Sequence, residues 1–151
     1  MALEEDVRIL SGVRLFDGFT QEQLRLLAFG GEAMKLPAHR VLYREGDAAD
    51  CAFVIAQGSV DLSQEREGKR VLVRRVGAGA ILGELALIAD TNRLTDATTG
   101  SETELIRLGR KQFRRILEEF PDLAVLLHDR IAAELTEMIA EIERQASRFA
   151  G

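Results

Sequence analysis

Hydrophobic positions in the first part of the chain recur with the period of a helix. Residues 3–10 form a short amphipathic segment, and a second helical segment begins after Thr20. Gln23 follows Thr20 by three residues, which is the spacing of a capping box. Two glycines at 30–31 then predict the end of that helix. We therefore expect an N-terminal helical segment over residues 1–31.

Over residues 32–109 the pattern changes to short alternating or wholly apolar runs, separated by turns that contain glycine. The clearest runs lie at 41–43, 53–55, 60–62, 71–76 and 105–108. A period of two is typical of strands with one buried face. Many short strands at such spacing predict a β-sandwich, a barrel or a jelly roll.

A helical period returns over residues 110–147. Phe113, Ile116 and Leu117 share one face of the first segment, and Pro121 suits the first turn of a new helix. The apolar stripe of that helix consists of Leu123, Leu127, Ile131, Leu135, Met138 and Ile142. Because the stripe is longer than one domain needs to cover, we expect a second copy of the chain to pack on it as a homodimer. The alternative is a helix that packs wholly on its own domain.

Length, net charge and cysteine content exclude several classes of function. A length of 151 residues favours one domain, and a net charge of −5 argues against broad nucleic-acid binding. The single cysteine, Cys51, excludes an internal disulfide and a cysteine-ligated metal cluster, and we expect it in the core. The acidic N-terminus does not resemble a secretory signal, and no apolar run is long enough to span a membrane. We therefore expect a cytoplasmic protein that contacts no membrane.

Residues with potential binding chemistry lie together between 83 and 95. Gly83 precedes residues 84–88, which favour about one helical turn. The start of a helix exposes backbone N–H groups, and a glycine lets an anion approach them closely. Arg93 follows after a short loop, and its guanidinium can bind two oxygens of a phosphate. Glu84 would repel a phosphate, so we expect it to accept a hydrogen bond from a sugar hydroxyl.

This segment resembles the phosphate-binding cassette of cyclic nucleotide-binding domains, the family that includes bacterial catabolite activators and the regulatory subunits of cyclic-AMP-dependent protein kinase. Residues 44–60 are similar to two strands of that family's barrel, and residues 15–24 to its first helix. The resemblance covers about residues 12–146. It implies a single α+β domain that is mainly β: a β-roll (double-stranded β-helix or jelly roll, residues 32–109), flanked by N-terminal helices and a long C-terminal helix.

The resemblance also implies roles for individual residues. Arg93 would pair with the cyclic phosphate, and Glu84 would accept from the ribose 2′-hydroxyl. Val71 and Val73 would line the base pocket, an expectation that rests only on their place in a strand. Backbone groups for the phosphate and the sugar would come from Gly83, Leu85 and Ala86. The long helix would close over the base in a two-state change.

Two positions depart from the family's pattern. Asn92 stands where the family often has proline, and Leu94 stands where it often has alanine, serine or threonine. In relatives that prefer cyclic GMP, a threonine at the latter position commonly contacts guanine. Leu94 has no hydroxyl, so we expect cAMP to be favoured over cGMP as the ligand. Thr95 is one place further on, and strand alternation should turn it the other way.

Two other functions remain to be weighed. The first is a degenerate fold that binds no nucleotide and acts as a dimerisation or protein-interaction module. The second is a metal-dependent β-roll enzyme, which is disfavoured because His39 and His128 lie in different zones and no nucleophile has a neighbouring base. We therefore expect no catalytic residue, no metal and no cofactor besides the nucleotide ligand.

The C-terminus bears on how a signal would leave the domain. Members of the family that regulate transcription carry a helix-turn-helix domain after the long helix, and this chain stops at Gly151. With a start methionine, we expect the chain to be complete and to make no direct contact with DNA. A change in the long helix would then pass to an unknown protein effector.

Overall fold

The chain opens with helices that pack on the outside of a β-roll. The computed structural model describes residues 2–150, with the side chains of residues 3–146. Helix α1 spans Ala2–Ser11, a 3-10 turn spans Arg14–Phe16, and α2 spans Gln21–Gly30. The Gln23 amide donates to Thr20 Oγ1 at 3.1 Å and the Thr20 amide donates to Gln23 Oε1 at 2.8 Å. The predicted capping box is therefore confirmed.

The roll consists of two four-stranded antiparallel sheets, ordered β1-β10-β4-β7 and β2-β9-β5-β6, with a two-stranded sheet β3-β8 beside them. The strands are β1 Glu32–Leu36, β2 Val41–Tyr43, β3 Ala48–Ala49, β4 Cys51–Gln57, β5 Ser59–Arg66, β6 Lys69–Gly77, β7 Ile81–Leu82, β8 Thr91–Asn92, β9 Asp96–Thr99 and β10 Thr103–Gly109. Most neighbours in the sheets are not consecutive in the chain, as a jelly roll requires. The predicted fold class, mainly β with flanking helices, is confirmed.

The apolar core has two parts, one between the helices and the roll and one between the two sheets, and strand β4 contributes to both. Its residues from Cys51 to Ile55 are all buried. Ala52 and Val54 point to the side covered by the helices, whereas Phe53 points into the space between the two sheets. A strand with apolar neighbours on both faces reads as a continuous apolar run instead of an alternating one. Cys51 is buried on the inner side, as expected of a core residue.

Two helices complete the domain, α3 at Arg110–Glu119 and α4 at Pro121–Ala150. The first part of α4 packs into the core through Leu123, Leu127 and Ile131. Arg130 Nη1 fastens its middle to the 3-10 turn by donating to the carbonyl of Leu15 at 2.9 Å and to that of Asp17 at 2.7 Å. Within residues 2–150, no helix has the length and apolar character to cross a membrane.

Candidate functional site

A cavity opens inside the roll, between the two large sheets and α4. It holds about 710 Å³ of space free of protein atoms, including its mouth. Its walls are Tyr43, Ala49, Leu62, Arg74, Val76, residues 81–86 and 91–95, and Ile131, Glu134, Leu135 and Met138 of α4. The predicted cassette therefore forms one wall of this cavity.

Gly83 and Arg93 converge in the structure, as the sequence predicts. Gly83 has φ 70° and ψ 31°, and a 3-10 turn over Glu84–Leu87 follows it directly. This left-handed conformation is readily open to glycine and costly for other residues. A Cβ atom at this position would overlap Nη1 of Arg93. The absence of a side chain therefore lets the guanidinium lie against the backbone at the start of the turn.

The Arg93 guanidinium is buried, with only 8% of the residue exposed. Its Nη2 donates to the carbonyl of Cys51 at 2.9 Å, and its Cζ lies 4.3 Å from the centre of the Tyr43 ring. Among the described residues, no acceptor lies within hydrogen-bonding distance of its Nη1. A buried donor without a partner costs about 1–3 kcal/mol. An anion at the start of the 3-10 turn would supply the acceptor that Nη1 lacks.

Backbone hydrogen bonds fix the segment that carries Arg93. The Arg93 amide donates to the carbonyl of Asp47, and the Gly46 amide donates to the carbonyl of Arg93, both at 2.8 Å. Asp96 Oδ1 accepts from the Glu45 amide at 2.7 Å, which ties the same turn to β9. Burial would raise the pKa of Asp96, but the hydrogen bonds from Glu45 and Arg70 outweigh it and lower this pKa below its ordinary value.

Glu84 lies half-buried in the wall of the cavity. Burial raises the pKa of its carboxyl, and the charge of Glu134 raises it further. Its own backbone N–H and the charge of Arg74 oppose that increase. A carboxylate in this position has oxygens that need donors, and a hydroxyl of a sugar is a suitable one.

Leu94 and Thr95 both line the cavity, which differs from the expected alternation. Leu94 is 40% exposed at the rim, whereas Thr95 is buried. Residues 94–95 form a bend between β8 and β9 instead of a strand, so the period of two does not apply to them. Leu85 and Ala86 also lie in the wall, at the 3-10 turn.

Val71 and Val73 do not line the cavity, contrary to expectation, and Arg74 and Val76 of the same strand do. A β-bulge lies between these residues, because Leu62 pairs with Arg74 while the next residue of β5 pairs with Leu72. Val73 is the extra residue of β6 at this point. An inserted residue shifts the alternation, so reading the strand as regular puts the wrong side chains on the inner face.

Two further residues of the cavity wall, Tyr43 and Glu134, are not predicted from the sequence. Tyr43 is the only tyrosine in the chain, and it stands in a predicted strand. Burial raises its pKa to about 12. Nothing in the sequence links it to Arg93, which lies far along the chain. Glu134 lies in the middle of α4, beside the predicted apolar stripe, and nothing in its sequence context indicates a role in binding.

No group of three or more His, Cys, Asp or Glu side chains that could hold a metal ion occurs among the described residues. The charged groups of the cavity are instead two arginines and two glutamates: Arg74, Arg93, Glu84 and Glu134.

Known proteins share this fold and sequence pattern. The sequence profile of the cyclic nucleotide-binding domain matches residues 33–120. A structure of a cyclic nucleotide-binding-like protein from Brucella abortus is 58% identical, over 76% of this chain and 98% of that one, with a TM-score of 0.69. The regulatory domain of Toxoplasma gondii PKA, co-crystallised with cAMP, is 32% identical over 76% of this chain and 44% of that one, with a TM-score of 0.71.

Longer curated proteins match as well. Lysophospholipase NTE1 of Chaetomium globosum is 25% identical over 74% of this chain, but the match spans only 7% of that protein. The Cyclic AMP receptor protein of Thermus thermophilus is 24% identical over 89% of this chain and 62% of that protein. The chain thus spans less than two thirds of these relatives. The profile, the Brucella abortus structure and the cavity built from the cassette agree, and the chain belongs to the cyclic nucleotide-binding domain family.

Proposed function

We propose that the chain is a regulatory module that binds a cyclic nucleotide in the cavity, cAMP in preference to cGMP, and catalyses no reaction. The observation that carries the proposal is the buried Arg93 Nη1, which has no partner among the described residues and lies against Gly83. A cyclic phosphate offers the acceptor and the negative charge that this group lacks. The relative co-crystallised with cAMP supports the choice of ligand.

The remaining cassette residues have roles in this proposal. Glu84 accepts from the ribose 2′-hydroxyl, and backbone groups of Gly83, Leu85 and Ala86 face the phosphate and the sugar. Leu94 at the rim has no hydroxyl to offer to guanine, which favours cAMP.

Helix α4 is the proposed route of the signal. Leu135 and Met138 line the cavity, so a ligand there touches the second half of the helix directly. The first half is fixed in the core by Leu127 and Ile131. A ligand that moves only the second half would alter the surface presented to a protein effector. The effector and the cytoplasmic location stay predictions.

The homodimer stays a proposal, on a different face of α4 from the predicted stripe. Leu135 and Met138 of that stripe line this chain's own cavity. Val125, Ala132 and Ile139 are exposed and follow one another at intervals of seven residues. We expect sedimentation velocity to give a dimer for the wild type and a monomer for Val125→Glu. A monomeric wild type would contradict this part of the proposal.

Thermal unfolding with cAMP and cGMP tests the binding. A ligand at 100 times its dissociation constant adds ~2.7 kcal/mol of stability. For a chain of this size the melting temperature should rise by roughly 5–10 °C. Arg93→Ala should abolish the rise. Arg75→Ala is the matched control, because Arg75 pairs with Asp61 at 2.6 Å on the exposed side of β6 and should leave the rise unchanged.

The alternative function has a distinct result in the same experiment. A wild type that unfolds cooperatively and shows no shift with either nucleotide contradicts the binding proposal. It would favour the degenerate fold that acts through protein contacts alone.

A further inference from the structure

A polar side chain lies on the apolar inner face of β5 and has no part in the proposed contacts with the nucleotide. Gln64 is only 6% exposed. Val60, Leu62 and Gln64 alternate along the strand and therefore project on the same face. Val60 and Leu62 belong to the apolar core between the sheets, and Leu62 also lines the cavity. A buried amide costs free energy unless it has a hydrogen-bond partner, so the partner of Gln64 indicates what the residue does.

The partner of Gln64 lies in the bend at 94–95, where the chain passes from the cassette into β9. Gln64 Nε2 donates to the carbonyl of Leu94 at 2.8 Å. The ladder between β5 and β9 ends where Ser63 pairs with Asp96. If the two strands continued in register, Gln64 would face the second residue of the bend. The chain leaves the ladder there, and the side chain of Gln64 supplies the hydrogen bond at that point.

This hydrogen bond fixes the peptide group between Leu94 and Thr95. Both side chains line the cavity, although consecutive residues of an extended strand face opposite sides. Such an arrangement depends on the orientation of the peptide group that joins them. The backbone of Arg93, just before the bend, is held by the turn at 46–47. Gln64 therefore extends the support of this wall from the phosphate-binding arginine to the two residues that follow it.

We propose that Gln64 is a positioning residue, which holds the bend at 94–95 in the conformation that binds a nucleotide. The inference rests on the proposed nucleotide binding in this cavity. Without the hydrogen bond, the bend would populate other conformations, in which Leu94 or Thr95 leaves the wall. Only the fraction of molecules in the binding conformation would then take up the nucleotide at full affinity. A simpler role for Gln64 would be to stabilise the roll as a whole.

Gln64→Met tests the inference, because methionine has a similar length and cannot donate the hydrogen bond. The affinity for cAMP, measured by isothermal titration, should fall by about fivefold, the change in population expected from the loss of one hydrogen bond. In the protein without nucleotide, NMR relaxation should show the order parameter of the Thr95 amide falling from about 0.85 to below about 0.6. Glu65→Met, at the exposed neighbouring position, should leave both quantities unchanged. Gln64→Leu, which also has no donor, is the second variant should Gln64→Met not fold.

Other results would overturn the inference. A rigid Thr95 amide in Gln64→Met would show that another contact holds the bend. An unchanged affinity for cAMP in a variant with a mobile bend would show that the bend has no part in binding. A lower melting temperature without either change would assign Gln64 to stability alone. In all these cases, loss of binding in Arg93→Ala would leave the proposed function standing, whereas a wild type that binds no nucleotide would remove both proposals.

Discussion

The two ends of the cavity are built differently. At the cassette end, Arg93 is buried, bonded to the Cys51 carbonyl and stacked on Tyr43, and its backbone is tied to the turn at 46–47. At the α4 end, Arg74, Glu134 and Met138 are only half-buried. The cassette end therefore has its geometry fixed by the roll. The α4 end depends on where the second half of a helix lies, so we expect it to adapt to the ligand.

The largest effect should come from a substitution at the fixed end. Gly83→Ala places a Cβ atom on Arg93 Nη1 and forces a left-handed conformation on alanine. We expect affinity for cAMP to fall by about 100-fold or more, comparable with loss of a buried charged contact. The free energy of unfolding should fall by about 1–2 kcal/mol from the backbone conformation. Calorimetric titration and urea unfolding measure the two effects.

Comparison of Gly83→Ala with Gly68→Ala separates the effect of backbone strain from the effect of displacing Arg93. Gly68 also has a positive φ, 78°, but no atom lies within 4 Å of the Cβ that alanine would add. The Gly68→Ala variant should lose a similar amount of stability and keep its affinity for cAMP. If Gly83→Ala bound cAMP as well as Gly68→Ala does, the convergence of Gly83 and Arg93 would have no role in binding.

Glu84→Gln should have the next largest effect and a characteristic pH dependence. Its affinity for cAMP should fall by about tenfold, because an uncharged acceptor binds a hydroxyl more weakly. The folded-state pKa of Glu84 is raised, so the folded protein holds this proton more tightly than the unfolded chain. Stability from this group is therefore lost as pH rises above the ordinary pKa of about 4.5. Urea unfolding should show Glu84→Gln gaining on the wild type as pH rises from about 4 to 7.

A cavity residue at the α4 end should have a smaller effect. Met138→Ala removes a half-buried side chain, so affinity for cAMP should fall by about 2–5-fold, the value of roughly one methylene contact. Its unfolding free energy should change by less than about 1 kcal/mol. Leu127→Ala, in the fixed half of α4, should instead lose about 2–5 kcal/mol and keep its affinity. The reverse pattern would show that the two halves of α4 do not differ as described.

The smallest effect should come from the rim. Leu94→Thr adds a hydroxyl at a 40% exposed position, so stability should stay within about 0.5 kcal/mol of the wild type. Affinity for cGMP should rise by about two- to threefold, the value of a solvent-exposed hydrogen bond. Competition between cGMP and a fluorescent cyclic nucleotide measures the change. A fall in cGMP affinity would show that Leu94 contributes to the pocket by its apolar surface.

Local signals made the cassette end predictable. The capping box, the helix breaks at Gly30 and Pro121, and the spacing from Gly83 to Arg93 all depend on residues close together in sequence. A short turn and a short loop connect Gly83 to Arg93, and long-range hydrogen bonds to Gly46, Asp47 and Cys51 then hold Arg93 in place. The same locality explains why the strands at 53–55 and 105–108 could be recognised.

Long-range pairing made the α4 end unpredictable. The bulge at Val73 depends on the register between β5 and β6, which no local pattern specifies. It places Arg74 and Val76 opposite Leu62 and Val60, on the inner face. Glu134 reaches the same site from a helix on the other side of the domain. A bend at residues 94–95 similarly replaces the expected strand, so the two consecutive side chains face the same cavity.

The hydrogen bond from Arg93 to the Cys51 carbonyl has a kinetic consequence. A long side chain that must be ordered by its ligand loses rotamer freedom at the moment of binding. Here the protein orders the guanidinium through Cys51 and Tyr43, so a cyclic phosphate meets a donor already in position. Association rates should then differ little between related nucleotides. The length of time that each one stays bound, and hence the duration of any signal, would be decided by its contacts outside the phosphate site.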